Sequence, residues 1–245
     1  MSVAWFFGDS FCAANEVGDV PQKGIEPHAI PDYWWGVDFA NSLGKEINIQ
    51  SQGGSSIEYT MLQIEEQTEN IQRDDTVVVC YTNPYRLYFN GHNITPTSIN
   101  IYGDKNEPND IGFNGSKISP EVIDTAKRFM LHVFNKEKQE RLWISHVLYI
   151  QNNLIPYIKS KGARVIEFYS FNTLKYLNVD IAVNLADKLK QLPVAETFII
   201  QNASRKGVRP EPILQSPNHF GTNDTEINLN KQWADYLLTL LPKNT

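Results

Sequence analysis

Cysteine is scarce in this chain. Its 245 residues include two, Cys12 and Cys80, far apart in the sequence. That excludes a disulfide framework and any Cys-x-x-Cys metal pattern, and the pair reads as two small buried hydrophobes. Basic charge is also short: 22 Lys and Arg stand against 28 Asp and Glu, a net charge of −6. Without a basic surplus to neutralise phosphates, nucleic acid is not an expected partner. No apolar run approaches the roughly 18 residues a membrane helix requires, so no membrane partner is expected either. The start, Met1 to Gly8, has no basic stretch ahead of its apolar residues. It reads as a buried strand rather than a signal peptide, which makes the cytoplasm the expected location. Missing too are a Walker A loop, a Gly-x-Gly-x-x-Gly loop, a Gly-x-Ser-x-Gly elbow and a His-Glu-x-x-His or Glu-x-x-His pattern. Those gaps argue against nucleotide enzymes and α/β-hydrolase esterases, and no metal or organic cofactor is expected.

What is present is ordinary globular material, 41% hydrophobic, enough for a core. Short apolar runs alternate with helical spacing. Val3 to Phe7 is a strand ending at Gly8. Asp32 to Leu43 is a helix, with Trp35, Phe39 and Leu43 at i, i+4 and i+8, stopped by Gly44. Glu46 to Ile49 is a second strand. A helix follows Ser55 or Ser56, either of which suits an N-cap. Asp75 to Thr82 is the clearest strand. Residues 84–118, rich in Asn, Gly, Pro and Tyr, form an irregular insertion with a hairpin around Leu87 to Ile101. Ser119-Pro120-Glu121 announces a helical region running with breaks to Lys161. Arg164 to Tyr169 is another strand, Leu185 to Leu192 a short helix, Thr197 to Ile200 a fifth strand, and Leu229 to Leu241 the last helix. This alternation predicts one α/β domain over residues 1–245: three α/β/α layers around a mainly parallel five-stranded sheet.

In such sheets chemistry collects at the carboxyl ends of the strands. There the sequence has Gly8-Asp9-Ser10-Phe11, Gln52-Gly53-Gly54-Ser55-Ser56 and Tyr81-Thr82-Asn83-Pro84, with Ser216-Pro217-Asn218-His219 ahead of the last helix. Singly, each is ordinary turn and cap chemistry. Together, in this order, they resemble the SGNH (GDSL) hydrolase superfamily. Its members carry Ser in Gly-Asp-Ser after the first strand, Gly after the second, Asn after the third and His before the last helix. The insertion and the Thr-x-x-x-Arg from Thr82 to Arg86 are similar to divergent, often phage-encoded, members. The resemblance spans residues 8 to 219 and implies a flavodoxin-like fold and a serine esterase. Its nucleophile would be Ser10 and its base His219. Its oxyanion hole would be built from the Ser10 and Gly54 N–H groups and the Asn83 amide.

Two positions depart from the family pattern. The third block usually reads Gly-x-Asn-Asp, and here only the Asn survives. The last usually reads Asp-x-x-His, and here Ser216 stands at the Asp position. Three arrangements follow. Ser216 or a backbone carbonyl orients His219 in a Ser-His dyad; or Asp224 or Glu226 reaches in; or hydrolysis is lost and the chain is a non-catalytic binding or assembly protein. A serine hydroxyl needs a base to become nucleophilic, and imidazole titrates near neutrality, so the Ser-His chemistry is self-consistent. The expected substrate is an acyl ester, such as an acetyl ester, of a carbohydrate or small molecule. Arg86 is either a surface cation or a clamp for a carboxylate or phosphate on that substrate. His28 and Tyr33-Trp34-Trp35 are further candidates for a pocket wall, although Trp35 fits the buried helix face better. Oligomeric state is not legible.

Overall fold

The computed structural model describes residues 1–14, 30, 32, 34–89, 92–94, 119–175, 177, 187–214, 220 and 229–241. The fold is α/β. Strands β1 (Val3–Phe7), β2 (Glu46–Ile49), β3 (Thr76–Tyr81) and β6 (Arg164–Tyr169) form a parallel sheet in the order β2-β1-β3-β6. Strands β4 (Leu87–Phe89) and β5 (His92–Ile94) make a separate antiparallel hairpin. Successive strands are added on opposite sides of β1, so β1 and β3 flank a topological switch point, and in such sheets ligand crevices form at the carboxyl ends of those strands.

Side chains alternate across the sheet, and each face has its own core. Phe6, Val78, Cys80, Ile166 and Phe168 point to one side, against helices α1 (Trp35–Ser42), α7 (Ala195–Arg205) and α9 (Asn230–Thr239). Phe7, Val77, Val79, Tyr81 and Tyr169 point to the other, against α2 (Ile57–Gln67), α4 (Lys136–Tyr149) and α5 (Ile155–Ser160). Burial on both faces is why β3 reads as a continuous apolar run, and all six of its residues are buried. At its start the buried Asp75 carboxylate accepts the Val3 N–H (2.7 Å) and the Trp5 indole N–H (2.9 Å), which fixes the register of β1 against β3.

Local sequence explains the boundaries. Ser56 caps α2 by accepting the Tyr59 N–H. Ser119 caps α3 (Pro120–His132), with Pro120 in the first turn. Helices α4 and α5 are joined by a π-helical segment, Ile150–Leu154, just ahead of Pro156, which has no N–H to offer the regular ladder. One expectation is overturned. Thr197 to Ile200 is not a strand but part of α7. Ala195, Ile199 and Ala203 recur at helical spacing and bury one face in the core. The sheet therefore has four strands among the described residues, and beyond β6, on the edge away from β3, there is a single parallel bridge from Val194 to Tyr169. Short helices α6 (Asp187–Lys190) and α8 (Pro210–Leu214) complete the described elements. Among the described residues, no helix is long and apolar enough to cross a membrane.

Candidate active site at the carboxyl edge of the sheet

β1 ends at Phe7, and the chain turns at Gly8 with φ +146°. A Cβ there would stand 2.5 Å from the Cys80 Cβ, so only glycine lets β1 leave the sheet this close to β3. The next residues form one tight turn. The Asp9 carbonyl accepts the Cys12 and Ala13 N–H groups, both at 2.9 Å, and Ser10 stands at the start of that turn, half-buried.

The loop after β2 is tied to this turn. The Gly8 carbonyl accepts the Gln52 N–H at 3.0 Å and the Ser55 hydroxyl at 2.8 Å, and the Ser51 hydroxyl donates to the Cys12 carbonyl at 2.8 Å. Gly54 lies at the apex of the loop in the left-handed region, φ +70°. A Ser55 N–H to Gln52 carbonyl bond (3.1 Å) closes that bend. After β3, the Asn83 Oδ1 accepts the Tyr85 N–H at 2.9 Å. With its oxygen committed, the side-chain amide keeps its N–H₂ end as the available donor. The Trp143 indole anchors the same loop by donating to the Thr82 carbonyl at 2.8 Å.

Asp9 joins the three strand ends. Its carboxylate is fully buried. Oδ1 accepts the Phe11 N–H (3.0 Å) and the Ser170 hydroxyl (2.8 Å), with Cys80 Sγ at 3.6 Å; Oδ2 accepts the Thr82 hydroxyl (2.7 Å) and Arg86 Nη1 (2.8 Å). The carboxylate thus holds β1 to the ends of β3 and β6. Burial, followed by the nearby Asp9 charge, pushes the Cys12 and Cys80 thiols well above their ordinary range. Both stay protonated at neutral pH and are poor nucleophiles.

The sequence-predicted residues therefore divide as follows. Ser10, Gly54 and Asn83 stand on adjacent loops at one edge of the sheet. Arg86 is there as well, but the carboxylate it meets is the protein's own Asp9. His219 lies outside the described residues, as do Ser216, Asp224, Glu226, His28, Tyr33 and residues 95–118 of the insertion. Trp35 belongs to the core, fully buried. Phe220, the residue after His219, is buried and meets Phe11, the residue after Ser10, edge-to-face at 6.0 Å between ring centroids. Sequence reasoning missed Ser170 and Phe171. Their signal was positional, since they directly follow β6 at the same edge. Among the described residues, no group of three or more His, Cys, Asp or Glu is arranged to hold a metal ion.

No family model matches the chain. No curated protein matches it. Solved structures similar to it include an acetyl xylan esterase from the rumen bacterium Butyrivibrio proteoclasticus, with 14% identity and a TM-score of 0.38 over 89% of this chain and 65% of that one. A Bacillus subtilis protein has 13% identity and a TM-score of 0.39 over 97% of this chain and 55% of that one. A phospholipase A1 from Streptomyces albidoflavus has 12% identity and a TM-score of 0.32 over 98% of this chain and 97% of that one. The chain thus spans less than two thirds of the length of the first two. All three scores lie below 0.4, and the chemistry proposed next stands on the residues alone.

Proposed function

We propose that this chain is a serine ester hydrolase of SGNH type. Its substrate is an acyl ester, such as an acetyl ester, of a carbohydrate or other small molecule. Ser10 Oγ attacks the ester carbonyl while His219 takes its proton. The tetrahedral oxyanion is met by the Ser10 and Gly54 N–H groups and the Asn83 side-chain amide. The C–O bond to the alcohol breaks, His219 returns the proton to the leaving oxygen, and an acyl-Ser10 ester remains. Water, deprotonated by the same imidazole, then releases the acid.

The observation that carries this reading is the amide of Asn83. Its oxygen is occupied by the Tyr85 N–H, which leaves a donor at the end of β3, one strand over from the Ser10 turn. The bond itself is an ordinary Asx turn; what supports the reading is its place, which leaves the N–H₂ at the carboxyl end of the strand next to β1. The turn geometry at Gly54 supports a backbone donor that approaches the substrate with no Cβ in the way.

The test is hydrolysis of p-nitrophenyl acetate and of an acetylated sugar by the wild type, Ser10→Ala and His219→Ala. Turnover by the wild type, abolished in both variants, is the expected outcome. A folded wild type that turns over neither ester would instead favour the binding-protein reading suggested by Ser216 at the triad-acid position.

A further inference from the structure

Arg86 is half of a buried ion pair. Its side chain is 14% exposed and that of Asp9 is 0% exposed, with 2.8 Å between Nη1 and Oδ2. Its guanidinium carbon lies 5.0 Å from the centroid of the Phe171 ring. Phe171 in turn meets Phe11 edge-to-face at 5.1 Å. Arg86 therefore reaches the residues on both sides of Ser10: Asp9 by a charged hydrogen bond, and Phe11 through the Phe171 ring. The Asp9 carboxylate also accepts the Phe11 N–H, so rotation of that carboxylate is coupled to the Ser10–Phe11 peptide plane.

The geometry points to Arg86 as a positioning residue, which locks the turn carrying Ser10 rather than binding an anion on the substrate. Charge argues the same way. A fixed, desolvated carboxylate already neutralises the guanidinium, and an incoming hydrated anion would have to compete with it. Arginine suits this role where lysine does not. Its planar fork can hold a carboxylate oxygen and lie on a ring at the same time. The effect on rate rests on the serine-hydrolase reading; the effect on the turn does not.

The experiment uses the full chain and two variants, Arg86→Met and Arg86→Lys. The first readout is amide hydrogen exchange by NMR. In Arg86→Met the Phe11 amide is expected to lose about tenfold more protection than Val78 in β3 and Ile166 in β6, whose own loss reports the global cost of leaving Asp9 unpaired. A loss at Phe11 no greater than at Val78 and Ile166 would overturn the proposal, whether or not the protein hydrolyses esters. The second readout is kinetics on a neutral acetyl ester and an anionic succinyl ester. kcat is expected to fall on both by the same factor, about 10²-fold, as misplaced reacting groups cause, with KM unchanged. A loss confined to KM of the succinyl ester would instead make Arg86 a substrate clamp. Lowered thermal stability with unchanged kcat would reduce it to a structural pair. A wild type inactive on both esters would sink the hydrolase reading alone, and the exchange data would still decide the role of Arg86. If Arg86→Met does not fold, Arg86→Lys keeps the charge and carries both measurements.

Discussion

Asp9 is the residue on which the site's geometry converges, and its environment makes firm predictions. A fully buried carboxylate tied to β3 and β6 holds three strand ends in one arrangement. Asp9→Asn leaves the Arg86 guanidinium without its charge partner in a largely desolvated place. The expected cost is about 3–5 kcal/mol, read as a lower urea midpoint. Gly8→Ala meets both a strained φ and the Cys80 Cβ, and about 2–4 kcal/mol of destabilisation is expected in the same assay. Asn83→Ala should behave differently. Stability changes by about 1 kcal/mol, for the lost bond to Tyr85, while kcat drops about 10²–10³-fold, the loss typical of one oxyanion donor. Part of this was legible in the sequence. Ser10, Gly54 and Asn83 follow strand ends that periodicity alone can place. The partnership of Asp9 with Arg86, Thr82 and Ser170 was not, because each contact spans more than 70 residues and no local spacing encodes it.

At the scale of elements, the buried parallel strands were the readable part. β2 and β6 have the bounds their apolar runs suggest, and β3 differs by one residue at each end. Caps were readable too, because Ser56 and Ser119 act through neighbours three residues away. The segment Ala195–Arg205 shows what local pattern misses. Phe198, Ile199 and Ile200 look like a strand when taken alone, yet Ala195, Ile199 and Ala203 bury together against the β1-β3-β6 face of the sheet. Small alanines carry that helical stripe, and alanine gives little hydrophobic signal. Ile199→Ala is expected to cost about 2–5 kcal/mol, because Ile199 is fully buried in that packing. A urea titration that moves by less than 1 kcal/mol would show that α7 packs more loosely than this account requires.

For the molecule as a whole, two cores on the two faces of one sheet leave many ionisable groups in apolar surroundings. Burial raises the Cys12, Cys80, Tyr81 and Tyr169 side chains above their ordinary ranges, and raises Tyr59 to about 12. In the unfolded chain the thiols ionise near pH 8.5 and the phenols near pH 10. The unfolded state therefore releases protons that the folded state retains. Stability from these groups is fully present below about pH 8.5 and is lost as pH rises toward 12. Urea midpoints are expected to hold steady through neutral pH and fall beyond pH 9. A midpoint still level at pH 10.5 would contradict the burial assigned to these groups.

The central claim is that Ser10 is an activated nucleophile, and covalent labelling reaches it without any knowledge of the natural substrate. The wild type, Ser10→Ala and His219→Ala would each be treated with a fluorophosphonate probe and read by intact mass, with the adduct located by peptide mapping. The account predicts one adduct on the wild type, on Ser10, and none on either variant. A folded wild type that takes up no probe, or an adduct on another residue, would contradict it.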